Sequence, residues 1–247
     1  MSTSSFSRRG FLKLAGGAVA STLVAACGST IKISSTKPGS GSESSSTSEV
    51  IEHPTAEIAW KLLQEGNQRY ALSKTTRPNQ SDTRRAELAK GQAPFAIIFG
   101  CVDSRVPPEL VFDRGLGDLF VVRTAAHTLD RAALGSIQFG VEELHIPLIV
   151  VMGHEKCGAV SAAIEAVEKN IRAPDAIDSL VQAIKPAIEK SKGQTGDKLD
   201  NAVKANTALT VEALKANTIL GGEIKQGKLM IVSTRYDLDT GAVELIV

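Results

Sequence analysis

Pro94-Phe95-Ala96-Ile97-Ile98-Phe99-Gly100-Cys101 and Pro147-Leu148-Ile149-Val150-Val151-Met152-Gly153-His154 decide how this chain is built. Each is an apolar run of strand length, without the polar alternation of a half-solvated strand. Such runs belong to strands buried on both faces, as in a parallel sheet. Leu119-Phe120-Val121-Val122, within 118–123, repeats the pattern.

Helical patterns fill the intervals. Residues 54–73 read as a helix with Thr55 as cap and Ile58, Leu62 and Leu63 on one face. Residues 79–90 read as a second, ending at Gly91. Further helices are expected over 130–144, 159–169, 174–190 and 197–220, the last closed by Gly221-Gly222. Residues 228–234 and 242–247 read as a fourth and fifth strand, joined through Asp239-Thr240-Gly241. Strands alternating with helices define an α/β fold: a single domain, residues 51–247, with a mainly parallel central β-sheet flanked by helices. In such sheets ligands gather at the carboxyl ends of the strands.

Hydrophobic residues at 43% and charged residues at 22% are the proportions of a soluble globular protein. A formal net charge of +1, with no basic patch, gives no electrostatic case for nucleic acid. Three cysteines, Cys27, Cys101 and Cys157, are too few for a disulfide framework.

The N-terminus has a different character. Ser7-Arg8-Arg9-Gly10-Phe11-Leu12-Lys13 precedes a short apolar region, 14–26, and resembles a twin-arginine export signal. Val24-Ala25-Ala26-Cys27 resembles a lipobox, which implies lipidation of Cys27. Residues 1–27 are thus expected to be signal peptide. Residues 28–50, mostly Ser, Thr, Gly and Lys, are expected to be a flexible linker, because they offer too little apolar surface to offset ordering entropy. The expected location is the extracytoplasmic side of a bacterial membrane, with a lipid anchor.

The chemistry sits where two strands end. Cys101-Val102-Asp103-Ser104-Arg105 follows the first buried run, and His154-Glu155-Lys156-Cys157-Gly158 follows the later one. The separation, 154 − 101 = 53 residues, accommodates a crossover to a neighbouring parallel strand. Two thiolates and an imidazole suit zinc, one per chain, and three protein ligands leave a fourth position for water. Zinc there lowers the pKa of water to about 7. His127 is the one rival ligand and a candidate proton shuttle. Asp103 can accept a hydrogen bond from the metal-activated water or ligate the metal, and Arg105 can hold its carboxylate ionised and oriented.

C-x-D-S-R-V-P with H-x-x-C-G resembles the β-class carbonic anhydrases, from about Trp60 to the C-terminus. The resemblance implies zinc on Cys101, His154 and Cys157, with the Asp103–Arg105 dyad orienting the nucleophile toward carbon dioxide. It implies a plant-type pocket with Gln92 nine residues before Cys101, Phe120 nineteen after it, and Gly158 beside the second cysteine. Phe139 stands where plant-type members carry tyrosine. Arg123-Thr124-Ala125-Ala126-His127 departs from the family's R-N-A-G-N, which alters the pocket rim. In a closed form of some members the aspartate ligates zinc; Ile98, where closed members carry tryptophan, favours the open form. The family implies a homodimer or higher homo-oligomer whose pockets borrow residues across the interface, acting on carbon dioxide and bicarbonate. Two alternatives stay open: a carbonyl sulfide or carbon disulfide hydrolase on the same fold, and a non-catalytic exported zinc-binding lipoprotein. The latter has no use for Asp103, Arg105, Gln92 and Phe120 together.

Overall fold

β1 (Ala96–Cys101) and β3 (Leu148–His154) lie side by side, in parallel, at the centre of a five-stranded sheet, and every residue of both is buried. The computed structural model describes residues 54–246. The expected signal (1–27), Cys27 and linker (28–50) lie outside the described residues. The strand order is β2-β1-β3-β4-β5, with β2 (Leu119–Thr124) and β4 (Met230–Tyr236) parallel to the centre and β5 (Val243–Leu245) antiparallel on β4.

Successive side chains of a strand point to opposite faces, so each apolar run supplies two cores. On one face Ile98, Val150 and Met152 pack with Leu63 of α1 (Ala56–Ala71), Val160 of α5 (Gly158–Glu168) and Ile184 of α6 (Ile177–Ser191). On the other, Ile97, Phe99, Ile149 and Val151 pack with Ile137 of α4 (Arg131–Glu142) and Leu220 of α8 (Thr218–Lys225). α7 (Lys198–Ala216) gives Val203 to the first core and Leu214 to the second. Each large apolar side chain so buried contributes roughly 1.5–3 kcal/mol.

Several expected elements change. α1 buries Ala59, Leu63, Gly66 and Asn67, while Ile58 is 51% exposed. The face is chosen by Gly66, where a Cβ would lie 1.9 Å from the Phe112 carbonyl oxygen, and by Asn67, which donates to Val111 O and Gly241 O. The second helix shortens to α2 (Asp82–Leu88): Asn79 is left-handed (φ 55°), its side chain donates to Asp118, and Ser81 caps in its place. A short helix, α3 (Pro108–Val111), follows the Asp103–Arg105 segment. The expected helix 197–220 breaks at Asn217, whose extended backbone ends α7 and whose side chain caps α8. Gly221 and Gly222 therefore lie inside α8 and close nothing. β4 shifts from the expected 228–234 to Met230–Tyr236, its ladder with β3 running on to Gly153↔Arg235 and His154↔Tyr236, while the Arg235 side chain finds Asp200 and Asp237 as partners.

Candidate active site

β1 and β3 pair in register from Ile97↔Ile149 to Gly100↔Met152, so their carboxyl ends open side by side. Cys101 closes β1 and His154 closes β3. Cys157 stands at the N-terminus of α5, where unpaired backbone N–H groups favour negative charge. The ligating atoms of Cys101, His154 and Cys157 lie within 4.8 Å of one another, and all three residues are buried. Both cysteines are free thiols.

Close approach of the thiols changes their acidity. The neighbouring Cys157 thiol holds the Cys101 thiol well below its usual range, and the Cys101 sulfur in turn pushes Cys157 up. A divalent cation removes this opposition, because it favours both thiolates. His154 Nδ1 lies 2.8 Å from Glu155 O. A carbonyl only accepts, so Nδ1 carries the proton and Nε2 presents its lone pair. That Nε2 is buried without a hydrogen-bond partner. Two thiols around an orphaned imidazole nitrogen are a donor set that fits zinc.

Asp103 and Arg105 flank the cluster. Arg105 Nε and backbone N–H donate to Asp103 Oδ1 (both 2.9 Å), and its Nη2 donates to Oδ2 (2.7 Å). These bonds hold the Asp103 carboxyl down at about 2, so it is ionised at neutral pH. Asp103 Oδ2 lies 3.9 Å from His154 Nε2. Arg105 Nη2 also donates to Lys156 O, tying the two ligand loops together.

Three residues make contacts that were not legible in the sequence. Arg123 Nε donates to Cys101 O (2.7 Å) and its Nη2 to Asp103 O (2.6 Å), clamping the first loop. The Ala126 N–H points at Cys101 Sγ (3.3 Å). Asn206 donates to Ala126 O (2.9 Å) and lies 3.0 Å from His127 Nε2. The strand-end arginine was the one available signal; the others depend on register and on a helix 80 residues away.

His127 is neither a member of the cluster nor exposed enough to carry protons. It is 1% exposed, and burial holds its pKa down at about 4. The remaining sequence-predicted pocket residues stand on other elements. Phe120 pairs with Ile97 and packs into the second core, four positions before the Cys101↔Thr124 pair, or about 13 Å along the strand. Phe139 is 43% exposed on α4, and Gln92 is exposed beside Lys90 and Leu116. Gly158 is exposed, and a Cβ there would meet nothing within 4 Å.

The fold identifies the class of protein. The β-carbonic anhydrase from Coccomyxa, solved with acetazolamide, matches with TM-score 0.61 at 25% identity, covering 74% of this chain and 84% of that one. A tetrameric β-carbonic anhydrase from Sordaria macrospora matches with TM-score 0.61 at 23% identity, covering 77% of this chain and 96% of that one. A family model described as carbonic anhydrase matches residues 96–243. Carbonic anhydrase 2 of Mycobacterium tuberculosis is 43% identical over 188 residues, 76% of this chain and 91% of the relative. This chain belongs to the carbonic anhydrase family, and its sheet is that of the β class.

Proposed function

We propose that this enzyme hydrates carbon dioxide reversibly to bicarbonate and a proton, at a zinc ion held by Cys101, His154 and Cys157. The observation that carries the reading is the ionised, arginine-locked Asp103 beside the orphaned His154 Nε2. When bound, zinc supplies a Lewis acid that makes water a nucleophile near neutral pH. The chain's own groups do the rest. Asp103, unable to carry a proton itself at neutral pH, accepts a hydrogen bond from the attacking water and so fixes its direction. Arg105 keeps that carboxylate turned and charged. The same pairing favours the open form, in which the aspartate stays on the arginine.

The pocket is completed by a second copy. Phe120 lies four strand positions before the end that carries its own chain's cluster, and Phe139 is exposed. Contributed by a partner, they form an apolar wall for carbon dioxide, and Gln92 supplies an amide to bicarbonate. The open space at Gly158 leaves room for substrate to approach.

The test runs carbon dioxide, carbonyl sulfide and carbon disulfide side by side on a form beginning at Val50 and on its Asp103→Ala variant. Fast hydration of carbon dioxide alone, falling at least 100-fold in the variant, is expected. Zinc uptake with turnover of only the sulfur compounds would replace the substrate, and uptake with no turnover would leave a binding protein.

We further propose export by the twin-arginine route and lipidation at Cys27. Support comes from Arg8-Arg9 before a modest apolar region and from small residues before Cys27. A route that carries folded proteins lets the thiols take up zinc before meeting an oxidising compartment. No helix among the described residues is long and apolar enough to cross a membrane. Cys27→Ser is expected to abolish incorporation of labelled fatty acid; undiminished labelling would refute the anchor.

A further inference from the structure

Ala126 and His127 form a turn with two consecutive left-handed residues, φ 50° and 44°, neither of them glycine. Such conformations persist only where the surroundings over-determine them. Ala126 is gripped from both sides: its N–H donates to Cys101 Sγ at 3.3 Å, and its carbonyl accepts from Asn206 Nδ2 at 2.9 Å. Asn206, on α7, is 6% exposed.

The orientation of its amide is determined by its neighbours. A flipped amide would set Oδ1 against the Ala126 carbonyl oxygen, so Nδ2 faces Ala126 O. The second proton of that nitrogen then meets His127 Nε2 at 3.0 Å, which must accept it. His127 is 1% exposed and its ring stands edge-on to Phe99, so the turn has little freedom to rotate away.

We propose that Asn206 is a positioning residue for the Cys101 sulfur: it holds the Ala126–His127 turn in the conformation that aims the Ala126 N–H at Sγ. That bond stabilises the thiolate, and outer-shell bonds of this kind change metal affinity by roughly 10–100-fold. The inference rests on the reading of Cys101 as a metal ligand and adds a residue 105 positions downstream, 206 − 101.

The test compares the parent protein with Asn206→Leu, which removes both donors at similar volume. Val211→Ala, a cavity on the same helix, is the control. Zinc affinity is measured by chelator competition, and the Ala126 amide proton is examined by NMR in cadmium-113-substituted protein. The parent is expected to show scalar coupling between that proton and cadmium. Asn206→Leu is expected to lose the coupling and bind zinc 10–100-fold more weakly, whereas Val211→Ala keeps both. Absence of coupling in the cadmium-loaded parent overturns the proposal whatever the variant does. So does a folded Asn206→Leu protein with parental coupling and affinity. A parent that takes up neither zinc nor cadmium refutes the metal centre itself, and the inference with it.

Discussion

At the scale of single residues, His127 and Asp103 give the protein two separate responses to acid. Burial depresses the folded-state pKa of His127 to about 4, against an ordinary value near 6.5. Between those values the unfolded chain binds a proton that the folded chain refuses, so stability rises with pH across the window and is lost on acidification. The loss is on the order of 3 kcal/mol by pH 4. Denaturant midpoints should fall between pH 6.5 and 4 in the parent. In His127→Asn, whose side chain tolerates the left-handed backbone, the slope should flatten. Equal slopes in the two proteins would show that this histidine does not set the acid limit. Asp103, depressed to about 2 by its arginine, acts lower: its contribution is present above about pH 4 and fades toward 2. Cys101, His154 and Cys157 were legible because thiol and imidazole side chains at two strand ends are rare in combination. Arg123 and Asn206 were not, because arginine and asparagine are common and their contacts exist only once β2 and α7 are in place.

At the scale of elements, the central strands were legible because burial on both faces leaves an unbroken apolar run. The helices were less so. Asn217 carries no helix-ending signal stronger than Gly221-Gly222 about one turn later, yet it is the asparagine that breaks the chain by capping α8. Ile58 suited the apolar face by spacing, but α1 turned toward the core the side on which Gly66 permits backbone contact with Phe112. The same close approach operates at the site. Gly153 precedes His154 in β3, and a Cβ on it would lie 2.5 Å from Thr207 Oγ1 and 3.0 Å from Val203 Cγ1, both on α7. Gly153→Ala must push α7 off the sheet or displace the strand end. Thermal or chemical denaturation should register a loss of about 1–3 kcal/mol, together with weaker zinc retention. A variant as stable and as metal-retentive as the parent would mean that the contact between α7 and β3 does not position the ligand.

At the scale of the whole molecule, the proposed pocket needs a second copy. Phe139 is a large aromatic side chain left 43% exposed on α4, and Phe120 is half-buried in the neighbouring strand. Phe139→Asp should lower the oligomeric state in sedimentation and reduce hydration at least tenfold, with the circular dichroism of the fold unchanged. An intact oligomer with full activity would remove Phe139 from the pocket wall. The pattern of strands and helices disclosed the sheet but not the proposed interface, because an interface is built from exposed side chains of two chains and leaves no periodic signal in one. The zinc centre is tested by stripping metal with a chelator and titrating zinc back while carbon dioxide hydration is followed. Activity should vanish on stripping, return in proportion to added zinc, and stop rising at one ion per chain. Hydration that survives complete metal removal, or a Cys157→Ser protein that titrates like the parent, would refute catalysis at a zinc held by these three residues.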